Sequence, residues 1–549
     1  MNKLLAAGLL SAVLLCHACN EGTQGEKYSG DSTQDLRLFE PGNKDEAQQP
    51  EVAATEGYAP ITENTFRRVS DNPLSTFSID VDGASYSNVR RMLQDGYLPP
   101  AGAVRIEEMI NYFRYDYAAP ANNEPFAIHT EMSTAPWNKK HQLVMVGLQG
   151  KRISTDNLPP ANLVFLVDVS GSMESADKLP LVKSALHLLT DQLRSQDRVS
   201  LVVYAGSAGL VLEPTPGNEK TTINDAIDRL EAGGSTAGAA GLQLAYQTAR
   251  NYFRKEGTNR VLICTDGDFN MGESSDDAME RLIEKERESG VFLSVLGFGT
   301  GNYQDAKMQL LADKGNGNHS YIDGLSEARK VLATEFGGTV FTIAKDVKLQ
   351  VEFNPASVQA YRLIGYENRM LAKEDFNDDR KDAGELGSGH TVTALYEVIP
   401  AGIESEFTEG TGVDALKYST QKTVSPAPGN EIMTVKFRYK DPGGSVSKLI
   451  THPVQRDFRD IESATDNFRF AAAVAEFGML LRNSAFRSAA TYPHVLSLAR
   501  SARGNDAEGY RDEFRQLVEK AAKLSLEKEM ASIEKNEEVK PVQLAAGEK

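Results

Sequence analysis

Three short polar stretches hold the oxygen chemistry of this sequence. They read Asp168-Val169-Ser170-Gly171-Ser172, Gly233-Gly234-Ser235-Thr236 and Thr265-Asp266-Gly267. Carboxylate and hydroxyl oxygens suit a hard cation such as Mg²⁺, which takes six oxygens and keeps some waters, with Ca²⁺ or Mn²⁺ as alternatives. Zinc is the poorer match, because the eight histidines are scattered without paired spacing. Each stretch alone also has an ordinary reading. Asp-x-Ser-x-Ser can be a turn with a helix cap, and Thr-Asp-Gly is a common turn. Their chemistry depends on whether the fold brings them together.

The surrounding pattern predicts that it does. The apolar run 163–167 reads as a strand covered on both faces, and Val182, Leu186, Leu189 and Leu193 form a helical stripe after it. A strand at 199–204 follows, then helical stretches at 222–230 and 237–253. Buried strands at 261–264 and 291–296 flank a helix at 277–288. Such alternation predicts an α/β unit over 161–336, with a doubly wound, mostly parallel, Rossmann-like sheet. Ligands of such sheets bind beyond the carboxyl ends of the strands, where the three polar stretches collect.

At this point a resemblance becomes specific. Asp168, Ser170 and Ser172 match the DxSxS motif of von Willebrand factor type A domains. Thr236 and Asp266 match the residues that complete that family's metal-ion-dependent adhesion site. The resemblance implies that Ser170, Ser172 and Thr236 touch the cation directly, with Asp168 or Asp266 reaching it partly through water. Three of these five groups are neutral hydroxyls, so the cation stays poorly neutralised and seeks an anionic sixth ligand. In the family that ligand is usually a carboxylate from a partner protein. The stretches 72–82, 104–113, 265–270, 365–369 and 389–397 resemble a bacterial family of envelope lipoproteins carrying this domain together with a C-terminal domain of unknown function. The likeness covers 61–524.

The remainder of the chain sets the context. Lys3, the apolar run 4–15 and Cys16-His17-Ala18-Cys19 read as an export signal over 1–19. Cys19 is the expected lipidated residue, although Cys16 stands where such signals usually carry Leu; an ordinary cleaved signal is the alternative. A polar tether is expected over 20–59 and a helical region over 60–119. Strands are expected at 120–160, a β-sandwich at 337–460, helices at 461–526 and a charged tail at 527–549. Strict alternation at Val347, Leu349, Val351 and Phe353, and again at Met433, Val435, Phe437 and Tyr439, marks half-buried antiparallel strands. Because strands lie on both sides of the α/β unit, we expect that unit to be inserted in the antiparallel sandwich. Asp80-Val81-Asp82-Gly83 starts like a calcium loop but has Arg91 where the closing Glu belongs, so Asp82 is expected to cap the next helix instead. Cys264 sits inside an apolar strand run, where a lone thiol is safest.

Composition narrows the function classes. A net charge of -18 argues against nucleic acid as a partner. No segment beyond the signal is apolar for the roughly 20 residues a membrane span needs. No nucleophile elbow, phosphate loop or paired-carboxylate pattern points to an enzyme. The expectation is a lipid-anchored envelope protein, outer membrane rather than inner, that binds a protein partner through its cation. A scaffold whose metal serves only the fold, or a metal-dependent hydrolase, are the alternatives.

Overall fold

The computed structural model describes residues 56–538, except 122–123, 155–156, 236–237, 268–275, 382 and 409–429. At its centre, six strands form one sheet in the order His319–Ile322, Phe292–Phe298, Thr258–Thr265, Ala161–Asp168, Arg198–Tyr204, Ala208–Pro216. All neighbours are parallel except the last pair. The alternation of side chains along Ala161–Asp168 explains why every residue in it is buried. Leu163, Phe165 and Val167 point to one face, against Val182, Leu186 and Leu189 of helix Leu179–Gln192. Val164 and Leu166 point to the other, against Leu242, Ala245 and Tyr246 of helix Gly238–Asn251. Cys264 is fully buried in this sheet, and burial pushes its thiol up to about 12.

Two further sheets pack face to face beside this unit. One runs Arg67–Arg68, Val358–Ile364, Thr391–Pro400, Asn138–Gly150, Phe126–Ala135, Phe458–Arg459. The other runs Gly384–Gly387, Thr342–Phe353, Glu431–Lys440, Lys448–Gln455. Val144, Val146 and Leu148 of the first meet Leu349, Val351, Val435 and Phe437 of the second in one core. Gln142 to Gln149, which precede the α/β unit in sequence, pair directly with Thr391 to Val398, which follow it. The α/β unit thus lies, in chain order, between strands of one shared sheet.

The outer face of that shared sheet carries a helical layer made from both ends of the described chain. Leu143 and Met145 point into it. Phe113, from the N-terminal part, lies 4.8 Å from Phe470 and 5.7 Å from Phe514, ring centre to ring centre. Each such buried aromatic contributes about 1.5–3 kcal/mol from its area alone.

Three features differ from the sequence reading, the first being that the helix Tyr510–Glu538 runs on past 526 into the charged tail expected over 527–549. The region 60–119 is not wholly helical: Leu74–Ser78 is a strand paired antiparallel to Thr342–Phe353. Asp82 caps no helix. Helix Ala84–Gln94 starts at Gly83 without a side-chain cap, and the Ser85 amide donates instead to Glu108 Oε2 at 2.9 Å. The fully buried Asp82 carboxylate accepts from the His319 amide at 2.7 Å and from Arg369 Nη2 at 2.9 Å. It ties the N-terminal segment to the α/β unit. Arg90 with Asp323, and Arg105 with Asp305, are buried ion pairs across the same junction.

Candidate metal centre

The carboxyl end of strand Ala161–Asp168 stops at Asp168, where the chain turns away over Val169 to Ser172. Asp168 is fully buried. Its Oδ1 accepts from the Ser170 amide at 2.9 Å, which folds the motif back upon itself. Its Oδ2 accepts from Thr265 Oγ1 at 3.3 Å, which ties it to the end of the neighbouring strand. The hydroxyls of Ser170 and Ser172 lie 3.1 Å apart. Ser170 is buried, whereas Ser172 opens to solvent. The five-residue motif therefore opens to solvent at Ser172, while Ser170 and the Asp168 carboxylate stay buried behind it.

The second stretch is held against the first by backbone bonds. The Gly233 amide donates to the Val169 carbonyl at 2.8 Å, and the Gly171 amide to the Gly234 carbonyl at 3.1 Å. Gly234 has φ +85, a left-handed conformation that suits glycine. Thr236 itself lies outside the described residues. So does Cys19.

The third stretch turns at Gly267, with φ +94, where a Cβ would sit 2.6 Å from the Gln304 backbone nitrogen. Only glycine fits that turn. Asp266, fully buried, presents its carboxylate at the same rim. Lys178 Nζ donates to Asp266 Oδ2 at 2.8 Å, and Asn302 Nδ2 donates to the same oxygen at 3.2 Å. Sequence reasoning missed Lys178 and Asn302. Nothing in their local sequence marks them, because they reach Asp266 only through the tertiary fold.

The electrostatics are uneven. Burial raises the Asp168 carboxyl above its ordinary value; the Ser170 hydrogen bonds oppose this and the nearby Asp266 charge adds to it. No cationic side chain among the described residues pairs with Asp168. Nor, among them, do three or more His, Cys, Asp or Glu side chains cluster in a way that could hold a metal. The donor set at this rim is instead two carboxylates and two hydroxyls. Such oxygens fit a hard divalent cation, which would also relieve the cost of keeping Asp168 ionised in the sheet.

The fold defines the class: this is a protein with a von Willebrand factor type A domain. The family model of that description matches residues 162–334. A model described as von Willebrand factor matches 52–145, and one described as Uncharacterized protein YfbK, C-terminal, matches 338–524. The chain is 44% identical to the uncharacterized protein YfbK of Escherichia coli (strain K12), over 85% of this chain and 81% of that protein, and it belongs to that protein's family. It is also 32% identical to the uncharacterized protein sll0103 of Synechocystis sp. (strain ATCC 27184 / PCC 6803 / Kazusa), over 56% of this chain and 68% of that protein. The solved structure of a von Willebrand factor type A protein from Catenulispora acidiphila is similar with 15% identity and a TM-score of 0.39, over 72% of this chain and 89% of that chain.

Proposed function

We propose that the protein grips a partner protein through a divalent cation held at the rim of its α/β sheet, and that it does so as a lipid-anchored protein of the cell envelope. The observation that carries the reading is the convergence of Asp168, Ser170, Ser172 and Asp266 at one strand-end rim, with a buried carboxylate that has no cationic partner among the described residues. Asp168, Ser170, Ser172 and Asp266 would hold the ion, with Thr236 as the fifth ligand of the family pattern. Mg²⁺ is the first choice, Mn²⁺ or Ca²⁺ the alternatives. The cation supplies a Lewis-acidic position for an acidic side chain of the partner. The chain's own residues do the rest. The turn at Gly171 sets the exposed Ser172 hydroxyl beside the buried Ser170 hydroxyl, and the sheet fixes the carboxylates behind them. Anchoring through Cys19 and a non-enzymatic role complete the proposal.

Calorimetric titration of the full chain with Mg²⁺ and Mn²⁺ tests the site. We expect single-site uptake that Asp168→Ala abolishes while the metal-free variant still unfolds cooperatively. Pull-down from envelopes with and without chelator tests the partner. Capture that persists in chelator and in Asp168→Ala would leave a scaffold, with the metal serving only the fold.

A further inference from the structure

Lys178 stands where the helix Leu179–Gln192 begins, and its side chain turns back toward the strand ends. The Nζ donates to Asp266 Oδ2 at 2.8 Å and to Asn302 Oδ1 at 3.3 Å, and Asn302 closes the triangle by donating to the same Asp266 oxygen. This is not a surface lysine folded down by chance. Its side chain is 10% exposed and that of Asp266 is fully buried. Its stem lies across Gly299, where a Cβ would stand 2.4 Å from Lys178 Cγ and 2.5 Å from Cε. Gly299 has φ +73, and its carbonyl is held by the Tyr321 hydroxyl at 2.9 Å. A glycine thus cuts the groove that lets the ammonium reach the rim.

We propose that Lys178 is the resident counter-charge of the cation site: it weakens the hold on the divalent ion and leaves the bound ion more electropositive toward a carboxylate from outside. The inference rests on the cation-site reading above. The charge count makes the point. Asp168 and Asp266 bring two negative charges, which equal in number the charge of a divalent ion even where the atoms touching it are neutral hydroxyls. With Lys178 fixed on Asp266, one positive charge is left over, and it is directed at whatever approaches the rim. Like charges a few ångströms apart in a partly desolvated site repel strongly enough to move an affinity by about tenfold or more. Lys178 is therefore a positioning and specificity residue, not a ligand.

The test uses the full chain and Mn²⁺ alone, titrated by calorimetry and by electron paramagnetic resonance, with acetate then added as the carboxylate probe. We expect Lys178→Met to bind Mn²⁺ about tenfold or more tightly than wild type, and Lys178→Arg, which keeps the charge, to stay near wild type. Asp168→Ala placed in the Lys178→Met background should abolish the uptake. The Mn²⁺-loaded Lys178→Met protein should bind acetate more weakly than loaded wild type. Thermal unfolding of the metal-free variants checks the fold, and Lys178→Gln serves if Lys178→Met is not folded. Unchanged or weaker Mn²⁺ binding by the charge-removed variant overturns the lysine's role while leaving the cation site standing. Uptake by Lys178→Met but not by wild type supports it in its strongest form. No uptake by either protein overturns the cation reading and this inference together.

Discussion

Two buried polar clusters in this molecule invite opposite interpretations. At the rim of the α/β sheet, burial raises Asp168 and no cationic side chain among the described residues answers it. In the sandwich, Glu397 is equally buried, and that burial raises it too. There the Arg362 guanidinium, whose Nη2 is 2.7 Å away, and the His141 hydrogen bond outweigh burial and hold Glu397 below the ordinary glutamate value. His141 Nδ1 lies 2.5 Å from Glu397 Oε1 and its Nε2 lies 2.9 Å from Ser405 Oγ. That order of atoms is the order of a nucleophilic serine relay. It has no room to act. Ser405 is 4% exposed, and the rings of Phe66 and Phe407 stand 5.4 and 5.9 Å from the imidazole. One cluster is closed by the protein's own charges. The other is open at Ser172, and the Lys178 ammonium there sits on Asp266 and leaves Asp168 without a cationic side chain among the described residues.

The largest expected effect tests the closed cluster. Glu397→Ala leaves Arg362 and His141 buried without their acceptor and should destabilise the protein by about 3–5 kcal/mol in denaturant titrations. Mn²⁺ affinity should be unchanged. A loss of cation binding in this variant would break the separation between the two regions.

Next comes the response to the ion itself. A cation bound only by the folded protein stabilises it by about 2.7 kcal/mol at a hundred times its dissociation constant. The thermal midpoint of wild type should rise accordingly with Mg²⁺ or Mn²⁺, and that of Asp168→Ala should not move.

Acid sharpens the contrast further. A carboxylate whose folded value is depressed contributes stability that is present above its unfolded value, about 4.3 for glutamate, and lost as pH falls through the folded value. Glu397 therefore contributes to acid unfolding below about pH 4. Glu397→Ala should show a shallower loss of stability than wild type across that window, measured by denaturant midpoints at successive pH values.

The sequence spoke most clearly where burial is continuous. The run 163–167 and the helical stripe through Val182, Leu186 and Leu189 could belong only to a covered strand and an amphipathic helix, and both faces of the sheet followed. The antiparallel edge strand Ala208–Pro216 was silent because Leu210 and Val211 are more than a third exposed, which blurs the alternation. Leu74–Ser78 escaped notice because Ser75, Thr76 and Ser78 are buried polar residues in a five-residue strand, so hydropathy carries no period there. The union of both chain ends in one helical layer was also invisible, since periodicity gives a helix its apolar face but not the neighbour that covers it. Asp82 is the instructive miss. Its local setting suggests a cap, and only the fold brings His319 and Arg369 to its two oxygens. At the rim, the motif residues were legible because their spacing is local, while Lys178 and Asn302 were not.

The smallest expected effect is the most discriminating, because it compares two serines. Ser405→Ala deletes a buried hydroxyl that answers His141 Nε2, and an unsatisfied buried group costs about 1–3 kcal/mol. Ser172→Ala deletes a solvent-open hydroxyl beside Ser170, and metal-free stability should change by no more than about 0.5 kcal/mol. In the presence of Mn²⁺ the ranking should invert: Ser405→Ala keeps the full cation-induced rise in thermal midpoint, whereas Ser172→Ala loses most of it. The same chemical deletion then reads as stability in one region and as ligation in the other. If Ser172→Ala responds to Mn²⁺ as wild type does, the Ser172 hydroxyl is not what the ion holds, and the described part of the rim is reduced to Ser170 and its two carboxylates.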